Sequence, residues 1–214
     1  MLKSIDRRRK SLRRKPPDRD RHDRVLVVCE GSKTEPNYFN AIRKEMRLSS
    51  AAITVIHSEG GTQPLQVVES AITEFKKTKK FERVYAVFDR DDHASYHDAI
   101  KKAEAQRSKL KNDERKAITF EAIVSVPSFE VWLLMHFQEV TAWIDRHVAV
   151  RHLTGHIPNY VKGMKDVHER TRGNIEYATR RAIQSRGQNG RLPGDAIYTD
   201  VDVLVATLHG LTKK

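Results

Sequence analysis

Two runs of this chain are apolar on consecutive residues, and each ends in acid. Val25-Leu26-Val27-Val28-Cys29 leads into Glu30-Gly31, and Val84-Tyr85-Ala86-Val87-Phe88 leads into Asp89-Arg90-Asp91-Asp92. A strand with one wet face alternates apolar and polar residues. An unbroken apolar run reads instead as a strand buried on both faces, as in a parallel sheet covered by helices. Open sheets of that kind bind ligands in the crevice beyond the carboxyl ends of their strands. The chain therefore predicts a crevice rich in carboxylates, whose mutual repulsion calls for a divalent cation.

The remaining pattern extends the same architecture. Pro36 stands early in a helix running to about Leu48, and Ile53-Thr54-Val55-Ile56-His57 reads as a second strand. Gly60-Gly61-Thr62 makes a turn, and Pro64 opens a helix to about Thr78. A Lys-rich helix is expected over 95–111 and a strand from Ile118 to Val126. Alternating strands and helices with short turns predict an α/β fold, a parallel sheet flanked by helices. After Pro127, Ser128 is expected to cap a helix through Phe137 that is apolar almost all round. Helices follow near 173–186 and after Thr199-Asp200, where Val201, Leu204, Val205 and Leu208 share a face. The expected organisation is a flexible basic arm (1–24) and one domain (25–214). Within the domain, 25–126 is the α/β core and 127–214 a mainly helical extension.

The formal net charge is +12, which favours a polyanionic partner. Residues 1–24 hold eleven Lys/Arg against four acids, two adjacent prolines and almost nothing apolar. Such a segment cannot collapse alone. Arg7, Arg8, Arg9, Lys10, Arg13, Arg14 and Lys15 are placed to grip phosphates without reading bases, or else form a solvated tail. The single cysteine, Cys29, lies in a buried strand, so no intrachain disulfide forms and a reducing, cytoplasmic setting is expected. No apolar run approaches a membrane-spanning length, so no membrane partner is expected.

Several side chains have the chemistry to act in the crevice. Asp89 and Asp91 supply oxygen ligands for Mg²⁺ or Mn²⁺, with Asp92 and His93 beside them; the bland reading is a helix cap. Glu30 is suited to general acid–base work or to holding the cation. Gly31 permits a sharp turn and close approach of a phosphate, which Lys33 complements. Glu35 is either a further ligand or an acid favoured in a first helical turn. Glu130 is unusual in an apolar helix and either reaches the crevice or caps the helix. Tyr160 and Lys162 either bind phosphate or lie on a surface turn. His57 is expected at the same crevice edge. Glu130 and His136 do not share a helix face, which argues against a zinc site.

These motifs resemble a known family. Glu30-Gly31-Ser32-Lys33-Thr34-Glu35-Pro36-Asn37-Tyr38-Phe39 is similar to the EGxxTExxYF signature of RloB-like proteins. The likeness continues through Gly61-Thr62-x-Pro64, Phe88-Asp89-x-Asp91, Pro127-Ser128-Phe129-Glu130-x-Trp132, Tyr160-x-Lys162 and Thr199-Asp200-Val201. The family usually has asparagine before the proline, where this chain has Val126. RloB-like proteins are related to the toprim fold of topoisomerases, primases and OLD-type nucleases. The resemblance implies a toprim-like fold with Glu30 as catalytic glutamate and Asp89 and Asp91 as metal ligands. It also implies prokaryotic phage defence with a partner ATPase of AAA or ABC type. In toprim proteins the first motif is commonly EGxxD; here the acid, Glu35, comes one residue later. The expected activity is Mg²⁺-dependent phosphodiester hydrolysis of RNA or DNA. The alternatives are a non-catalytic nucleic-acid-binding or regulatory subunit of an ATPase complex, or a nucleotidyl or phosphoryl transferase. Nothing resembles a Walker A loop.

Overall fold

The computed structural model describes residues 23–90, 93–189 and 196–211. Strands β1 (Val25–Cys29), β2 (Ile53–His57), β3 (Arg83–Asp89), β4 (Thr119–Val126) and β5 (Tyr198–Thr199) form one sheet in the order β2-β1-β3-β4-β5. The first four are mutually parallel. The short β5 adds an antiparallel edge, pairing Ser125 with Thr199 and Val126 with Tyr198, so the sheet is mixed.

Side-chain parity explains the unbroken apolar runs. Val25, Val27, Cys29, Tyr85 and Val87 enter one core with Tyr38, Phe39 and Ile42 of α1 (Thr34–Glu45) and with the C-terminal helices. Leu26, Val28, Val84, Ala86 and Phe88 enter a second core on the other face. That core is filled by Val67, Val68 and Phe75 of α2 (Pro64–Thr78) and Tyr96, Ala99 and Ala103 of α3 (Tyr96–Glu104). All ten of these strand residues are at most 2% exposed, so each face buries apolar area.

The helical extension comprises α4 (Glu130–Leu134), α5 (Arg146–His156), α6 (Val167–Thr171), α7 (Ile175–Asn189) and α8 (Val201–Gly210). Arg186 of α7 fastens it to the sheet edge, donating from Nη1 to the Thr199 carbonyl and from Nη2 to Asp202 Oδ2, each at 2.6 Å. Helix α3 ends at Glu104, short of the expected Lys111. Asn112 Oδ1 accepts from the backbone N–H of Glu114 and Lys116, closing a turn that sends the chain back into β4. Ser128 does not cap α4: its hydroxyl donates instead to Glu130 Oε2 at 2.7 Å. Asp23 and Arg24, read as arm, are bound to the folded body. Asp23 accepts from Arg83 Nε at 2.8 Å, and Arg24 Nη2 donates to Glu82 at 2.7 Å. Arg7, Arg8, Arg9, Lys10, Arg13, Arg14 and Lys15 lie outside the described residues.

Candidate functional site

β1 and β3 are neighbours in register, with Cys29 opposite Val87. Their carboxyl ends therefore deliver Glu30 and Asp89 side by side. The Glu30 N–H continues the ladder to the Val87 carbonyl at 2.8 Å. Its side chain then turns across, and Glu30 Oε2 accepts from the backbone N–H of Asp89 at 2.9 Å. This bond fixes the glutamate at the mouth of a cavity of about 200 Å³. Four carboxylates line it (Glu30, Glu35, Asp89 and Glu130), as do the cationic residues Lys33, Arg146 and Lys162.

Gly31 leaves room at this turn for the Glu35 carboxylate. A Cβ there would collide with the carboxylate of Glu35, which folds back from the first turn of α1. Glu35 is 6% exposed. Burial raises its pKa, and the neighbouring Glu130 adds to the rise, against hydrogen bonds from the Glu35 and Gly31 backbone and the charge of Lys162. Glu130, 2% exposed, is held from three sides. Ser128 Oγ donates to it, Tyr160 Oη donates at 3.3 Å, and Lys162 Nζ stands 3.5 Å away. Burial, and then the Glu130 charge, push the Tyr160 phenol up, so it remains a donor.

Lys162 reaches the cavity because its loop is stitched to the start of α1. The Gly163 N–H donates to Thr34 Oγ1 at 2.9 Å, and Asn37 Nδ2 donates to the Gly163 carbonyl at 2.8 Å. Gly163 has φ +85°, and a Cβ there would lie 2.9 Å from Lys33 Cβ.

The structure thus brings Glu30, Lys33, Glu35, Asp89, Glu130 and Lys162 to one cavity, together with Thr62. Asp91 and Asp92 lie outside the described residues. His93 lines a neighbouring cavity of about 430 Å³ rather than this one. His57 is corrected too: it faces a third cavity, beside Glu59, Gly60 and Gln66, because β2 is the sheet edge remote from β3. Tyr160 is not on a surface turn but 4% exposed. Arg146 carried no sequence signal; it arrives at the first residue of α5, far along the chain.

Among the described residues, no three Asp, Glu, His or Cys side chains gather closely enough to enclose a metal ion. The donor set nevertheless fits Mg²⁺, which keeps several waters and takes one or two carboxylates together with phosphate oxygens. Glu30, Glu35, Asp89 and Glu130 supply that donor chemistry at one cavity. No described helix is long and apolar enough to cross a membrane.

The family model described as RloB-like protein matches residues 25–208 of the chain. Comparison with curated proteins and with solved structures gave no match.

Proposed function

The chain belongs to the RloB-like family, and from that premise we propose that it is a Mg²⁺-dependent nuclease acting on RNA or DNA in phage defence. The observation that carries the reading is the 2.9 Å bond from the Asp89 N–H to Glu30, which seats two strand-end carboxylates at one cavity beside Lys33, Arg146 and Lys162. Carboxylates alone would repel a phosphate. The pairing with cations and a hard-ion donor set is what suits a phosphodiester. The family's relation to toprim proteins and its association with defence support the same reading.

In this account Glu30 and Asp89 hold the ion, with Asp91 as a further ligand. Bound there, Mg²⁺ or Mn²⁺ supplies Lewis acidity toward the scissile phosphate and its leaving oxygen. Glu30 orients the attacking water and accepts its proton. Lys33, Lys162 and Arg146 bind the phosphate charge. Glu130, fixed by Ser128 and Tyr160, aims Lys162. Residues 25–214 act as one unit, and the basic segment before them grips the nucleic-acid backbone, as the composition of 1–24 favours. A partner ATPase supplies the trigger in this account.

The test uses labelled RNA and DNA with Mg²⁺, Mn²⁺ or EDTA, with and without the partner ATPase. Glu30→Gln and Asp89→Asn are compared with wild type. Cutting by wild type that disappears in EDTA and falls by about 10²-fold or more in both variants is expected. Binding without cutting under every condition would favour a regulatory subunit, and incorporation of labelled nucleotide a transferase.

A further inference from the structure

The larger cavity, about 430 Å³, adjoins the carboxylate cavity, and Arg146 lines both. It too opens beyond the carboxyl ends of β3 and β4, where open sheets take their ligands. Its volume falls in the range of about 300–1,000 Å³ typical of small-molecule sites. Arg90, His93, Tyr96, His97, Trp143 and Arg146 line it. Among the described residues the acid in its wall is Asp145, which is committed to the backbone of α5, accepting from the N–H of His147 and Val148 at 2.7 and 3.0 Å. Trp143 is 56% exposed, whereas the chain's other tryptophan, Trp132, is fully buried. An indole left half in water at the edge of a cationic hollow has the make-up of a stacking platform for a base with its phosphate nearby.

We propose that this cavity is a nucleotide subsite, in which Trp143 stacks an unpaired base next to the phosphodiester held at Glu30 and Asp89. The assignment rests on the nuclease reading for what lies in the adjoining cavity. It adds a substrate class: single-stranded or looped nucleic acid. A base inside a duplex keeps both faces stacked on its neighbours and cannot present one to Trp143 without being extruded. Arg90 and Arg146 face the backbone charge of the same nucleotide, and Tyr96, with the Arg90 guanidinium 6.0 Å from its ring centre, supports the cationic wall.

The probe is a short unpaired RNA, its DNA counterpart and the matching duplexes, titrated into full-length Glu30→Gln protein with Mg²⁺. Because Trp143 is the exposed indole, stacking on it quenches tryptophan fluorescence. Single strands are expected to quench and duplexes to do so far less. Trp143→Ala should weaken single-strand binding by about 5- to 150-fold, while Trp143→Phe restores most of it, both at an unchanged thermal midpoint. Equal binding by Trp143→Ala and its parent, equal quenching by duplex, or no binding at all would overturn the subsite. The nuclease reading is judged separately. If wild type cuts and Trp143→Ala cuts with unchanged KM, the subsite falls and the nuclease stands. If Trp143-dependent binding occurs without cutting, the subsite stands and the nuclease falls.

Discussion

His136 carries a single-residue prediction that is independent of the cavity. It is 2% exposed; its Nδ1–H donates to the Trp132 carbonyl at 3.0 Å, and its Nε2 is buried with no hydrogen-bond partner among the described residues. Protonation would place an unpaired N–H in the core, so burial lowers its pKa from 6.5 to about 4. The folded value lies below the unfolded one, so the unfolded chain binds the proton more readily in between. Stability from this residue is full above about pH 6.5 and is lost as the pH falls toward about 4, by roughly 3 kcal/mol in all. Thermal melts across that window should show a steep acid slope in wild type and a shallower one in His136→Phe; equal slopes would contradict the account. The residue scale is also where the sequence was least legible. Glu130 stood out as an acid in an apolar helix, but its tie to Tyr160 spans thirty positions and leaves no periodic trace. Arg146 sits at a helix start indistinguishable from any other basic residue, and only the packing of α5 brings it to the cavity.

At the scale of elements, the sheet was legible because burial on both faces writes itself as consecutive apolar residues. Strands β1 and β3 carry that pattern in full, whereas β4, broken by Glu121 and Ser125, carries it only over Ala122, Ile123 and Val124. Strand β5 does not: two residues are too few for any period, and its pairing follows from where α7 and α8 deliver the chain. Helix α3 is shorter than its Lys-rich pattern, which continues to Lys111 although the helix ends at Glu104. His57 was misplaced because a strand's end is visible in sequence, but its rank within the sheet is not. The loop that carries Lys162 gives the prediction at this scale. It is held by Thr34 and Asn37 of α1 through Gly163, whose positive φ and close approach to Lys33 leave no room for a side chain. Gly163→Ala should cost about 1–3 kcal/mol by chemical denaturation. It should also reduce nucleic-acid binding more than an equally destabilising core substitution, because it moves both lysines. Binding that tracks stability alone would separate the loop from the site.

For the whole molecule, the net charge of +12 is concentrated in the segment before β1. Removing residues 1–22 spares the ties of Asp23 to Arg83 and of Arg24 to Glu82. The truncated protein should therefore melt like the full chain. Its nucleic-acid affinity should be lower and should depend less steeply on salt, since fewer counterions are released on binding. An unchanged salt slope would make the segment a bystander.

The central claim is that Glu30 and Asp89 share one divalent ion, and uptake of Mn²⁺ followed by electron paramagnetic resonance tests it most directly. Wild type should bind Mn²⁺ competitively with Mg²⁺. Glu30→Gln and Asp89→Asn should each lose about tenfold or more in affinity while melting normally. Equal Mn²⁺ uptake by wild type and both variants would contradict the account.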